Sequence, residues 1–123
     1  MKVLQIEFPW PDPRLSPNKR ADRRWITGIR QSARAMGLFL THQAGVKFSA
    51  VPLEITIVIC PPDNRWRDDD NIYTSFKSYR DGMFQALELN DKLIRRTILE
   101  WGPVRPGGAL LVTLRELRSI RYE

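Results

Sequence analysis

Residues 52–71 read PLEITIVICPPDNRWRDDDN, and the order of events along this stretch decides the fold. Residues 52–60 are mostly apolar and rich in β-branched side chains, which predicts a buried central strand. Pro61-Pro62 ends that strand, because proline cannot donate to a ladder. Residues 63–71 (DNRWRDDDN) form a polar loop, and a helix follows from Asp70 or Asn71 to about Leu89. Ile72, Phe76, Met83, Phe84 and Leu87 can supply its buried face, although Gly82 interrupts the pattern. Asp68 to Asn71 are N-cap candidates, and negative charge suits a helix N-terminus.

Working back from this stretch, residues 2–8 (KVLQIEF) read as a first strand. Pro9, Pro11, Pro13 and Pro17 then forbid regular structure, so residues 9–24 are read as an irregular arm. A helix is expected over 25–45, with Trp25, Ile29, Ala33, Met36 and Leu40 on one face and Gly45 as its C-cap. Working forward, Asn90-Asp91 reads as a turn, and residues 93–101 and 109–115 as strands. Gly107-Gly108 suggests a hairpin between those two. The expected architecture is α+β: a single β-α-β-α-β-β domain spanning 1–123, with one mixed sheet covered by two helices.

Composition narrows the chemistry. The chain has 123 residues, 20 Lys+Arg against 14 Asp+Glu, and a net charge of +6. Its length fits one domain, no apolar run approaches the ~20 residues of a membrane span, and the N-terminus shows no signal-peptide core. Cys60 and His42 are the lone cysteine and histidine. A disulfide, a cysteine/histidine metal cluster and a histidine triad are therefore set aside, and both residues are read as structural. Catalysis would rest on carboxylates, Lys/Arg, hydroxyls or backbone groups, with no organic cofactor expected.

The basic charge is unevenly placed. Between Arg14 and Arg34 lie Arg14, Lys19, Arg20, Arg23, Arg24, Arg30 and Arg34 against one acid, Asp22. That imbalance favours contact with phosphates. Arg65, Trp66 and Arg67 directly precede Asp68-Asp69-Asp70. Three consecutive carboxylates repel one another unless they are solvated, cap a helix or hold a cation, and Mg²⁺ prefers such oxygen ligands. In an extended segment Asp68 and Asp70 would share one side and Asp69 would point away to solvent, with Asp69 replacing one of them as ligand if the loop register differs. The next strand could return Asp91 to the pair, giving three carboxylates for phosphodiester hydrolysis.

The run Arg65-Trp66-Arg67-Asp68-Asp69-Asp70-Asn71, with Lys77, Asp81 and Asn90-Asp91 after it, resembles the RusA family of Holliday junction resolvases. Phe8-Pro9-Trp10-Pro11 with Ser16-Pro17-Asn18 is similar to that family's opening, and Gly107–Leu114 to its last strand. The chain departs from the pattern once: Asn71 to Lys77 is about three residues longer. Lys77 would keep its facing but move about 4–5 Å along the helix, and Thr74 takes the position the lysine would otherwise have.

The resemblance implies a homodimeric, Mg²⁺-dependent endonuclease (Mn²⁺ can substitute) that cuts four-way DNA junctions in recombination and repair. Asp68, Asp70 and Asp91 would hold the metal, and Lys77 would stabilise the phosphate or orient the nucleophile. Asn18, Lys19, Arg20, Arg23, Arg24, Arg65, Trp66, Arg67 and Asn71 would contact DNA. The implied setting is cytoplasmic, at the nucleoid, in a phage or prophage context. A non-catalytic branched-DNA-binding module, a nuclease for flaps and an acidic-loop interaction protein are the alternatives. Trp66 either stacks on an unpaired base or packs on the loop's own arginines. Trp10 and Trp25 are read as core or dimer contacts, Trp101 as core, and Asp81 as a partner for Arg80 or an arm arginine.

Overall fold

The computed structural model describes residues 2–17 and 23–117. In chain order the elements are β1 (Val3–Pro9), α1 (Arg23–Ala44), β2 (Leu53–Cys60), α2 (Asp69–Leu87), β3 (Ile94–Trp101) and β4 (Ala109–Glu116), with short 3-10 turns at Pro13–Leu15 and Asp91–Leu93. This is the expected α+β order of two helices and four strands.

The strands form one mixed sheet in the order β1-β4-β2-β3. β2 runs parallel to β3, with α2 as the crossover between them, and antiparallel to β4, which also pairs antiparallel with β1. The hairpin expected at Gly107-Gly108 is therefore not formed: β2 lies between β3 and β4. In the order observed, β2 (LEITIVIC) has a hydrogen-bonded neighbour on each edge, the central place its apolar run predicts. The glycines do turn the chain, the Gly108 N–H donating to the Arg105 carbonyl at 2.8 Å, but the turn belongs to a bridge across the end of β2. Along that bridge the Gly102 N–H donates to the Ile59 carbonyl (2.8 Å) and the Arg105 N–H to the Pro61 carbonyl (2.9 Å).

One face of the sheet carries the core. Leu4, Ile6 and Phe8 of β1, Ile55, Ile57 and Ile59 of β2, and Leu110, Val112 and Leu114 of β4 are buried together with Phe76, Tyr79, Met83 and Phe84 of α2. Each such side chain contributes about 1.5–3 kcal/mol by leaving water. Phe8 stacks on Tyr79 with centroids 4.5 Å apart, and the Tyr79 hydroxyl donates to the Pro9 carbonyl at 3.1 Å. This tie fixes α2 against β1. On the opposite face Glu54 meets both of its cross-strand partners, Arg96 at 3.4 Å and Arg115 at 3.5 Å.

The helices cross at two glycines. A Cβ on Gly37 would lie 2.1 Å from the Tyr79 carbonyl oxygen, and one on Gly82 would lie 1.9 Å from the Arg34 carbonyl oxygen. Gly82 is thus a contact point and leaves α2 unbroken. The crossing also rotates α1 away from its expected facing. Ala33, Gly37 and Thr41 are its buried positions, whereas Trp25 and Met36 are exposed. The chain trades a wide apolar stripe for backbone contact through small residues. Gly45 closes α1 at φ +71°, as expected of a C-cap.

Candidate functional site

The loop from Asp63 to Arg67 is built around one acid. The Asp63 carboxylate accepts the Arg65 backbone N–H (2.9 Å), the Arg65 side chain and the Arg67 Nη2 (2.8 Å). These bonds hold the Asp63 carboxyl down to about 2, the Arg65 backbone N–H contributing most. Arg67 completes the turn by donating Nη1 to the Asp63 and Arg65 carbonyls, both at 3.1 Å, and its guanidinium lies 5.5 Å from the centroid of the Trp10 ring. Arg67, expected on DNA, is turned inward as the pin of its own loop. Arg65 remains exposed despite its ion pair with Asp63. Trp66 stands free at 98% exposure, so the expected alternative of packing on the loop arginines does not hold.

This loop separates two clefts. Arg65, Trp66, Arg67 and Asp68 border both. One cleft continues to Trp101 at the end of β3 and Val104 on the β3–β4 bridge. The other runs past Trp10 and Pro13 of the arm to Asn71 and Ser75 of α2. Trp101, expected in the core, is half exposed because β3 is the edge strand.

The acidic run sits at the start of α2. Asp68 is the N-cap: its Oδ1 accepts the Asp70 N–H at 2.9 Å. Asp69 and Asp70 occupy the first turn, where the exposed backbone N–H groups favour negative charge. The helix begins earlier than expected, so the run is not extended and Asp69 does not point away. Instead one carboxylate oxygen from each of Asp68, Asp69 and Asp70 lies within 4.8 Å of the others. All-oxygen donors at this spacing, with Asp68 Oδ2 still open, fit a hard divalent cation.

Asp91 does not join that group. It opens the 3-10 turn Asp91–Leu93, and its Oδ2 accepts from Arg80 Nη2 at 3.1 Å. Arg80 also donates Nη1 to the Tyr73 hydroxyl at 2.9 Å. Lys77, on the same helix, places its ammonium 5.9 Å from the Tyr73 ring centroid. Asp81 is exposed, and the acid that partners Arg80 is Asp91. Of the arm, Asn18, Lys19 and Arg20 lie outside the described residues, as does the side chain of Arg23. Arg24 is exposed and borders a cleft with Trp25 and Tyr79.

Asp63 and Tyr73 are not among the residues expected at the site, and Arg80 is expected only as a partner for Asp81. Asp63 could have been found from Asp-x-Arg-x-Arg, whose acid can accept from the backbone N–H two residues on and reach the arginine four residues on. Arg80 and Tyr73 are seven apart, two helical turns, and so share a face. No spacing on the chain signals the pairing of Arg80 with Asp91.

No family model matches the sequence. An uncharacterized protein of Xylella fastidiosa is 31% identical over 117 residues, an alignment that takes in 92% of this chain and 76% of that protein. At that identity and coverage, the chain belongs to the same protein family as the Xylella fastidiosa protein.

Proposed function

We propose that this chain is a Mg²⁺-dependent endodeoxyribonuclease that resolves four-way DNA junctions as a homodimer. The observation that carries the reading is the gathering of Asp68, Asp69 and Asp70 within 4.8 Å on a loop that also presents Trp66 and Arg65 to solvent. The likeness of the run from Arg65 to Asn71 to the RusA resolvases supplies the substrate class. Asp68, through Oδ2, Asp69 and Asp70 would hold the ion, with Mn²⁺ able to replace Mg²⁺. When bound, the ion supplies an acidified water and charge stabilisation at the leaving oxygen. Arg65 offers a cation to the DNA backbone, and Trp66 an open ring to an unpaired base. Lys77 lies two turns from Asp70, about 10 Å along the helix, where it suits a neighbouring phosphate better than the cut one. A two-fold dimer would present a second cutting site to the opposing strand.

A second reading has its own observation. Asp91 is held by Arg80, and the acids at 68–70 also suit simple helix capping. A branched-DNA-binding module without catalysis would look the same.

The experiment is incubation with a synthetic four-way junction, a flap and plain duplex, each with Mg²⁺ or EDTA. The nuclease reading predicts paired nicks in the junction that need the metal and vanish in Asp70→Asn. Junction binding that persists in EDTA, with no product under any divalent ion, would instead establish the binding module. Preferred cutting of the flap would reassign the substrate.

A further inference from the structure

Helix α1 turns its small residues inward and its large ones outward. Ala33, Gly37 and Thr41 are buried, Gly37 directly against α2. Trp25 (64% exposed), Met36 (40%) and Phe39 (61%) stand on the other side. With Ile29 and Ser32 they follow one another at intervals of four, three, four and three residues, the spacing of a seam along which one helix packs on another. From Trp25 to Phe39 the seam is about 21 Å long. No charge interrupts it. From residue 25 to 44 the only Lys, Arg, Asp or Glu residues are Arg30 and Arg34. Arg34 donates its Nε to Gln85 of α2 at 3.0 Å, and Arg30 lies about 160° around the helix from Ser32. In a chain with 28% charged residues, such a charge-free apolar stripe on the surface has the character of an interface.

We propose that this seam is where a second copy of the chain docks, α1 against α1, antiparallel about a two-fold axis at Ser32. The inference rests on the homodimer of the nuclease reading and names the surface that forms it. Trp25, Ile29, Ser32, Met36 and Phe39 read alike from either end: aromatic, aliphatic, small, unbranched apolar, aromatic. That is the self-complementarity a two-fold interface requires. It sets Trp25 beside the partner's Phe39 and Ile29 beside the partner's Met36, with the two small serines at the axis, where they let the helices approach. Charge selects the same occupant. Each copy carries +6 and repels the other, so two copies meet best where charge is absent. DNA or an acidic protein would find no cation on the seam. Covering Trp25 and Phe39 withdraws roughly 250 Å² from water on each copy, about a third of the ~800 Å² that a standard interface takes from each partner. Ile29, Ser32, Met36 and the groove they share with Trp10 and Leu15 extend the contact.

The test is sedimentation equilibrium of the full chain, without DNA or metal. The wild type is expected to be a dimer. Phe39→Glu places a charge in the seam twice per dimer and should weaken association by roughly thirty- to a thousandfold, whereas Phe39→Leu should keep the dimer. Circular dichroism confirms that each variant is folded. A second measurement uses the axis. Ser32→Cys should form a disulfide between copies under mild oxidation, because the axis brings the two positions together. Gln31→Cys, exposed but off the seam, should not, and the native Cys60 is buried. A monomeric wild type, a dimer that Phe39→Glu leaves intact, or a Ser32→Cys protein that does not cross-link overturns the proposal. The nuclease reading fails separately. Metal-dependent paired cutting by a dimer indifferent to Phe39→Glu removes this interface alone, and a dimer joined through α1 that cuts nothing removes the nuclease alone.

Discussion

The Arg80 guanidinium donates to the Asp91 carboxylate at 3.1 Å and to the Tyr73 hydroxyl at 2.9 Å, tying the 3-10 turn before β3 to the first half of α2. The arginine side chain is 18% exposed and Asp91 38%, so the pair lies between the surface and the buried case. A double-mutant cycle of Arg80→Met and Asp91→Asn in urea should return a coupling of about 1 kcal/mol, between the surface and buried limits. It should fall as salt is raised. A coupling of zero at low salt would show that the pair is incidental.

The helix crossing should tolerate no methyl group. Gly82→Ala would set its Cβ 1.9 Å from the Arg34 carbonyl oxygen, so the helices must part. The expected loss is about 1–3 kcal/mol. Gly28→Ala, where a Cβ meets nothing within 4 Å, should instead stabilise α1 by about 0.5–1 kcal/mol. Thermal melts of the two variants should move in opposite directions.

The loop that carries Trp66 should resist acid. The Asp63 carboxyl is held below its ordinary 3.8, at about 2, by the Arg65 backbone and the loop arginines. A depressed carboxylate stabilises the folded loop above its unfolded value and loses that contribution as pH falls through the folded one. The order of the loop should therefore persist at pH 4 and fade toward pH 2. An NMR titration of the Asp63 carboxyl should inflect near 2, and Asp63→Asn should remove the inflection. A midpoint near 4 would contradict the geometry.

Arg65 and Arg67 should separate in function. Arg67 is the pin, so Arg67→Ala should lower the melting temperature and loosen the loop. Arg65→Ala should leave stability within about 0.5 kcal/mol, weaken DNA binding uniformly and reduce its salt slope by about one. The reverse pattern would mean that Arg67 leaves the loop to meet DNA.

What the sequence disclosed, and what it withheld, follows from the range of each interaction. The strand at 53–60 and the helix after it are local matters of β-branched residues, prolines and caps, and they were readable. So was the glycine end of α1. The placement of β2 between β3 and β4 was not, because Gly107-Gly108 makes a turn in either topology and strand order is set by pairing between strands distant in the chain. The facing of α1 was misread because Gly37 and Gly82 favour backbone contact over the apolar stripe. At the site, the acidic run and its loop were legible as a cluster. The place of Asp69 depended on where the helix starts, a matter of one or two residues. Asp91 depended on Arg80, a long-range charge pair that leaves no periodic trace.

The central claim is that Asp68–Asp70 do chemistry and do more than cap α2, and one substitution separates the two. Asparagine caps a helix as well as aspartate does but carries no charge. Asp68→Asn should therefore keep the Asp70 N–H satisfied and the melting temperature unchanged, while its rate of cutting a synthetic four-way junction in Mg²⁺ falls by on the order of a hundredfold or more. Wild-type cutting rates in Asp68→Asn, or no cutting by the wild type itself, would contradict the account.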